Sequence, residues 1–342
     1  MKNRRMSSGA EIKVSVIGAG SWGTTLANLL AEEISCVELW VFEEELYKIL
    51  CAKRENTYFL PGLSLAANIS FTPSISQAFS DKDVLVCALP SHAVRAVFRE
   101  GSPFLSEKTL IVSATKGLEE ETCKTATQII REESGPTKKL KIACLSGPSF
   151  AREVSRKIPT AVTAAAREAE VASQVQALFT RPYFRVYTND DLMGVELAGA
   201  VKNVMAIAAG VSDGLGLGHS SRAALITRGL AEMTRLGVSM GAKEKTFFGL
   251  AGLGDLVLTC TGDLSRNRQV GIEIGRGRAL KEILGGMKMV AEGLRTTKAL
   301  RDLAQNLNIE MPITEKIYEI IYEGKKPHQA VGELMNRLPR SE

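Results

Sequence analysis

The chain has 342 residues, 45% hydrophobic and 24% charged, with a formal net charge of +5. That length exceeds what one hydrophobic core commonly serves and predicts two domains, while the composition excludes a disordered chain. The modest charge, spread along the chain, argues against nucleic acid as the main partner and suits a small anionic ligand.

The start, Met1-Lys2-Asn3-Arg4-Arg5-Met6, is polar and lacks the apolar core of a signal peptide. No apolar run reads as long enough to span a bilayer, so the expectation is a soluble protein without a transmembrane segment. The first strand, Val14-Ser15-Val16-Ile17, stops at Gly18-Ala19-Gly20-Ser21-Trp22-Gly23, and Leu26, Leu29 and Leu30 then recur at helical period over residues 24–33. Strand, tight turn and helix with a G-x-G-x-x-G spacing predict a dinucleotide-binding unit. Gly18 allows the turn, Gly20 lets the backbone approach a pyrophosphate, Gly23 lets helix and strand pack, and the free helix amides face the anion.

The alternation continues with a strand at 37–42, a helix at 44–54, a loop at 56–62, a strand at 69–72 and a helix at 74–79 capped by Ser74. A buried strand at 84–88 runs into Pro90-Ser91-His92. The strand at 110–113 ends at Ala114-Thr115-Lys116-Gly117, a helix covers 122–132, and the strand at 142–145 ends at Ser146-Gly147-Pro148-Ser149-Phe150. Strands at 160–164 and 184–187 flank a helix at 168–179. About eight strands precede residue 190, within the range of a large α/β sheet. The pattern predicts a doubly wound, mainly parallel sheet with helices on both faces and active groups at the carboxyl ends of the strands.

From Asp190 the pattern becomes helical. Residues 194–209 are apolar and rich in small side chains, reading as a buried helix. Helices at 222–236, 243–248, 268–276, 279–284, 296–307, 313–323 and 329–336 follow. We therefore expect a dinucleotide-binding domain over residues 1–194 and an all-α substrate and catalytic domain over residues 195–342. The six cysteines (Cys36, Cys51, Cys87, Cys123, Cys144 and Cys260) form no C-x-x-C pair and read as reduced, buried thiols. His92, His219 and His328 show no ligand spacing, so no metal site is expected.

Lys202 lies inside the apolar helix, with Asn203 next to it and Glu196 about a turn and a half earlier. A lysine there is either a snorkelling surface residue or a functional one. Burial and a nearby cation such as Lys116 depress a lysine pKa toward the range useful for proton transfer. Ser146-Gly147-Pro148-Ser149 offers backbone donors or a plain turn. Gly252-Leu253-Gly254-Asp255 is a glycine-rich approach to an acid. Ser265-Arg266-Asn267-Arg268 opens a helix either as a phosphate cradle or as an N-cap with solvated arginines. Glu292 reads as an acid in a turn.

Taken together, Gly18 to Gly23, Pro90-Ser91-His92, Ala114-Thr115-Lys116-Gly117-Leu118, Ser146-Gly147-Pro148-Ser149-Phe150, Gly199-Ala200-Val201-Lys202-Asn203-Val204, Gly252-Leu253-Gly254-Asp255-Leu256 and Ser265-Arg266-Asn267-Arg268 resemble the NAD(P)-dependent sn-glycerol-3-phosphate dehydrogenases of bacterial type. The match runs in order from about residue 12 to about residue 325. The resemblance implies a Rossmann-type domain followed by a helical one. It also implies reduction of dihydroxyacetone phosphate to sn-glycerol 3-phosphate for glycerophospholipid synthesis, in a cytoplasmic homodimer.

Carried over by residue, Lys202 is similar to the family's proton donor and acceptor. Lys116, Gly147, Ser149, Asp255, Ser265 and Asn267 resemble its substrate contacts, with Arg266 near both phosphate and cofactor. Ser21, Trp22, Phe42, Lys116, Ala151, Val290 and Glu292 fall where the family touches the dinucleotide. Where bacterial relatives often have a basic residue or histidine after the second strand, this chain has Phe42-Glu43-Glu44. Glu43 lies twenty residues beyond Gly23, where an acid accepts from the ribose hydroxyls. The expected cofactor is NAD(P)H, with NADH preferred and NADPH as the alternative. Competing readings are a hydroxyacid dehydrogenase of the 6-phosphogluconate type and a dinucleotide-sensing protein without turnover.

Overall fold

In a computed structural model, which describes residues 12–135, 139–286 and 291–339, the first half alternates strand and helix. It runs β1 (Lys13–Ile17), α1 (Ser21–Leu30), β2 (Cys36–Trp40), α2 (Glu44–Lys53), β3 (Ile69–Thr72), α3 (Ile75–Phe79), β4 (Val84–Cys87), α4 (Val94–Gly101) and β5 (Leu110–Ser113). It continues through α5 (Ala126–Glu133), β6 (Lys141–Ser146), α6 (Ala151–Ser155), β7 (Thr160–Ala166), α7 (Ala169–Phe179) and β8 (Phe184–Asn189).

The eight strands form one sheet in the order β3-β2-β1-β4-β5-β6-β7-β8. Every neighbouring pair is parallel except β6 and β7, which run antiparallel. All of β4 and β5 is buried, as strands covered on both faces must be. Val14, Val16, Leu26 and Leu29 fill one face. Ile17, Trp40, Leu85 and the edge-on pair Phe79 and Phe98, 5.3 Å between centroids, fill the other.

Three local expectations fail. Helices α4 and α6 were not expected from the sequence. Helix α5 begins at Ala126 instead of residue 122, because Cys123 takes a left-handed φ of 57° and Thr125 with Gln128 forms a capping box.

The second half is helical: α8 (Leu192–Gly214), α9 (Gly218–Ser239), α10 (Glu244–Phe247), α11 (Asp255–Thr261), α12 (Arg266–Gly275), α13 (Leu280–Gly285), α14 (Glu292–Asn306), α15 (Pro312–Tyr322) and α16 (Pro327–Met335). Glu292, read as a turn residue, is the first residue of α14.

Helix α8 is the axis of this half, about 35 Å long at 1.5 Å per residue. By length and composition it is apolar enough to cross a bilayer, with a mean hydropathy of 1.4, contrary to the sequence expectation. Its most apolar window is 89% buried within the protein, as in a core helix. Asp191 caps it, accepting from the Gly194 N–H at 2.9 Å through one oxygen and from the Lys243 N–H and Thr246 hydroxyl through the other.

The cysteines also depart from expectation. Cys87, Cys144 and Cys260 are buried, but Cys36 and Cys51 are exposed and Cys123 is half-buried. Cys36 is the first residue of β2 and Cys51 lies in α2, whereas Cys123 precedes α5 and its thiol donates to the Ala299 carbonyl at 3.3 Å.

Candidate active site

Helix α1 starts where β1 ends, between its two neighbours β2 and β4. That is the crevice in which open α/β sheets bind ligands. Gly18 has a φ of 111°, and a Cβ on it would lie 2.9 Å from the Ala88 carbonyl oxygen. A Cβ on Gly23 would lie 1.9 Å from the Gly18 carbonyl oxygen. Gly20 differs, because a Cβ there meets nothing within 4 Å, so its outer side is open. Gly20 is also the N-cap of α1 and contributes no side-chain cap, which leaves the amides of Ser21, Trp22 and Gly23 without intrahelical partners. Among the described residues the buried indole N–H of Trp22 has no partner either.

Ala151 joins the rim of this crevice, its carbonyl 3.3 Å from the Thr25 hydroxyl. At the end of β2, Phe42 is 78% exposed and forms one wall of a groove of about 730 Å³ shared with Ser74, Ile75 and Phe104. Glu43, also exposed, is the N-cap residue of α2 but makes no side-chain capping bond, so its carboxylate is not committed to the helix.

Three charged side chains from three distant elements meet where the sheet abuts α8. Asp255 is almost wholly buried, and its carboxylate bridges two ammonium groups, Lys202 Nζ at 2.6 Å on one oxygen and Lys116 Nζ at 2.6 Å on the other. Lys202 also donates to the Thr259 hydroxyl at 2.9 Å, and Lys116 to the Gly147 carbonyl at 3.0 Å. The Ser149 hydroxyl donates to the same carbonyl at 3.0 Å.

Burial pushes the Lys202 ammonium down, Asp255 pushes it back up and Lys116 lowers it, leaving it at about 8. Burial pushes Asp255 up, but the two ammonium groups more than offset this and hold it below the usual carboxylate range. Lys202 is therefore a buried acid whose proton is available near neutral pH.

The π-type turn Leu250–Gly254 delivers Asp255 to this centre, with Gly254 against Pro148. The loop that carries Lys116 is pinned from behind. Arg95 grips Glu119 through Nε at 2.7 Å and Nη2 at 2.6 Å, a bidentate pair.

A chain of amides links the remaining pieces. The Gly293 N–H donates to Asn267 Oδ1 at 3.0 Å, Asn267 Nδ2 to Asn203 Oδ1 at 3.0 Å, and Asn203 Nδ2 to the Lys116 carbonyl at 3.4 Å. Ser265 caps α12, accepting from the Arg268 N–H at 3.3 Å. Arg266, the first residue of α12, has no hydrogen bond or ion pair among the described residues. Burial holds its guanidinium below the ordinary value while Glu292 pushes the other way. A largely buried cation at a helix N-terminus that bonds no acid among the described residues suits an anion. Glu292 in turn accepts from the Ser91 hydroxyl at 2.7 Å, beside Gly117.

The structure thus brings Lys116, Gly147, Ser149, Lys202, Asp255 and Asn267 into one bonded network, with Ser265, Arg266 and Glu292 around it. Gly18, Gly20, Ser21, Trp22 and Gly23 form the glycine turn, Ala151 lies against α1 beside it, and Phe42 and Glu43 stand apart at the end of β2. Val290 lies outside the described residues. Glu196 does not face Lys202. Its buried carboxylate instead accepts from the Thr125 hydroxyl at 2.8 Å, the Thr127 N–H at 3.0 Å and the Thr127 hydroxyl.

A glycine-turn crevice at the sheet's carboxyl edge and a buried lysine of lowered pKa suit hydride and proton transfer at a carbonyl. Residues 13–172 match the family model for the NAD-dependent glycerol-3-phosphate dehydrogenase N-terminus, and residues 191–332 match that for its C-terminus. The chain belongs to the NAD-dependent glycerol-3-phosphate dehydrogenase family.

It is 57% identical to a glycerol-3-phosphate dehydrogenase [NAD(P)+] of Geobacter metallireducens, over 96% of this chain and 98% of that protein. It is 53% identical to one of Syntrophobacter fumaroxidans, over 95% of each. The crystal structure of glycerol-3-phosphate dehydrogenase from Coxiella burnetii superposes with a TM-score of 0.91 at 39% identity, covering 96% of this chain and 99% of that one. The enzyme from Saccharomyces cerevisiae superposes with a TM-score of 0.81 at 29% identity, covering 94% and 99%. As a member of this dehydrogenase family the chain is an oxidoreductase.

Sequence reasoning gave no role to Thr259, to Ser91 within the quoted Pro90-Ser91-His92 motif, or to the Arg95–Glu119 pair. Thr259 was accessible, because it lies four residues beyond Asp255 and hence on the same helix face. Ser91 and Glu292 are 201 residues apart, and no local signal joins them.

Proposed function

We propose that this dehydrogenase reduces dihydroxyacetone phosphate to sn-glycerol 3-phosphate, reversibly and with NAD(P)H, in the cytoplasm and as a homodimer that supplies glycerophospholipid synthesis. The observation that carries this reading is Lys202, buried, held by Asp255 and Thr259, and tuned to about 8 beside a second lysine. Incubation with NADH and dihydroxyacetone phosphate tests it, and absence of coenzyme oxidation in that mixture overturns it.

The turn fits a dinucleotide. Gly20 has open space outside it, and the α1 amides with the Trp22 indole are unpartnered donors. In this reading Gly18, Gly20, Ser21, Trp22 and Gly23 hold the pyrophosphate, Phe42 lies on the adenine and Glu43 accepts from the ribose hydroxyls. Ala151, Lys116, Arg266, Val290 and Glu292 line the remainder. When bound, NAD(P)H supplies the hydride that reaches the ketone carbon.

Lys202 gives its proton to the carbonyl oxygen during reduction and takes one from the alcohol in reverse. Lys116 places a second positive charge near the developing oxyanion. Arg266, with Ser265 and Asn267, holds the phosphate, and Gly147, Ser149 and Asp255 complete the pocket. That remote grip aligns the ketone with Lys202. In this reading a division at residue 194 puts the glycine turn and the end of β2 on one side and Lys202 on the other, with Arg266, Val290 and Glu292 reaching the cofactor from the second side.

The pH dependence follows from Lys202. Reduction needs the ammonium form, so kcat/KM for the ketone should fall as pH rises through about 8. Oxidation needs the neutral amine, so its kcat/KM should rise through the same range. Parallel profiles in the two directions would contradict a shared acid and base.

Cofactor choice rests on Glu43. A carboxylate at the end of β2 repels a 2′-phosphate, so NADH should give the higher kcat/KM, and Glu43→Arg should shift preference toward NADPH. Measuring both coenzymes at one ionic strength decides this. A wild-type preference for NADPH would mean that Glu43 points away from the ribose.

A further inference from the structure

The helix carrying Lys202 and the helix opening with Arg266 touch backbone to backbone. A Cβ on Gly210 would lie 2.1 Å from the Arg268 carbonyl oxygen, and one on Gly271 would lie 2.1 Å from that of Ile207. Gly214 and Gly275 repeat the contact one turn on, against Ile272 and Val211. Glycine faces allow this approach, but they present no side chains to interdigitate, so they set the separation of α8 and α12 without fixing how far one slides along the other.

Besides the Asn267–Asn203 hydrogen bond at 3.0 Å, an ion pair at the end of that contact resists the sliding. Arg268 donates through Nε and Nη2, each at 2.8 Å, to one oxygen of Asp213, with side-chain exposures of 11% and 9%. The other oxygen takes Arg222 of α9 through Nε at 2.7 Å. Arg268 makes one further ion pair, to Asp263, whose side chain is 96% exposed.

Both charges sit at the wrong ends of their helices. Asp213 lies in the last turn of α8 and Arg268 in the first turn of α12, where the helix dipoles oppose them. Each is tolerated because of the other. Arg268 shares its turn with Ser265, Arg266 and Asn267, while Asp213 is eleven residues from Lys202, about 16 Å along the axis.

We propose that Asp213 is a positioning residue for the phosphate cradle, acting through Arg268 to hold the first turn of α12 in register with Lys202. The inference rests on the reading of Ser265, Arg266 and Asn267 as that cradle. It makes substrate discrimination depend on a side chain that touches neither substrate nor cofactor.

The test compares dihydroxyacetone phosphate with unphosphorylated dihydroxyacetone, both with NADH, in the full chain. Asp213→Asn should lower kcat/KM for the phosphorylated ketone roughly tenfold or more, mainly through KM, and change the unphosphorylated ketone by less than about twofold. Inorganic phosphate should compete correspondingly less well. Arg268→Lys, which keeps the charge but loses the fork, should reproduce the loss and stands in if Asp213→Asn does not fold. Arg222→Ala should leave the ratio within about twofold. An unchanged ratio in Asp213→Asn, or the full loss in Arg222→Ala, overturns the proposal. Arg266→Ala separates the two levels: equal losses on both ketones overturn the cradle itself, whereas a selective loss there beside an unselective Asp213→Asn overturns only the brace.

Discussion

Lys202→Met should lower kcat for ketone reduction by about a hundred- to ten-thousandfold, the range expected when a positioned general acid is lost. Methionine keeps much of the length and apolar bulk of the lysine stem inside α8, so the packing around Val201 and Val204 is retained. Asp255 keeps Lys116 at 2.6 Å and is not left as an isolated buried charge. The glycine turn lies on another element, so NADH binding, read by quenching of tryptophan fluorescence, should persist. Turnover near the wild-type level with the ketone would remove Lys202 from the chemistry.

Asp255→Asn should be nearly as damaging, by another route. Among the described residues the carboxylate is the only negative charge in contact with Lys202, and it raises that ammonium pKa against burial and the charge of Lys116. Its removal leaves two close cations around a neutral amide, so the Lys202 pKa should drop below 8. The descending limb of the reduction profile should then move to lower pH, while kcat at neutral pH falls by about a hundredfold. Stability should fall as well, by about 3–5 kcal/mol, the usual consequence of breaking a buried pair on one side. Thermal unfolding and the pH profile measure the two effects independently, and a limb that stays in place would show that Asp255 does not set the acidity of Lys202.

The parts of this architecture written in local pattern were readable from the chain. Val14 to Gly23 announces strand, turn and helix because β-branched residues, three glycines and a leucine repeat fall within twenty residues. The small, apolar run around Lys202 announces a buried helix. The approach to Asp255 was less legible, since Leu250-Ala251-Gly252-Leu253-Gly254 reads as a loop and instead forms a π-type turn leading into α11. Helix α4 was hidden behind Pro90, although Val94, Val97 and Phe98 carry a helical apolar face. The bridge of Asp255 between Lys116 and Lys202 depends on the order of strands in the sheet and on the path of α8. Those are set by long-range packing that no window of sequence contains.

The buried carboxylate of Glu196 bears on how the chain can be taken apart. It is furnished by α8, in the half that follows residue 194, yet the groups it satisfies, the Thr125 hydroxyl and the Thr127 N–H and hydroxyl, belong to the first turn of α5 in the half that precedes it. Severing the polypeptide near residue 194 would strand an acid in one piece and orphan a helix start in the other. The two halves share one interior seam, so the pieces are not interchangeable cassettes, and a graft of either onto a foreign partner must bring its side of that seam along.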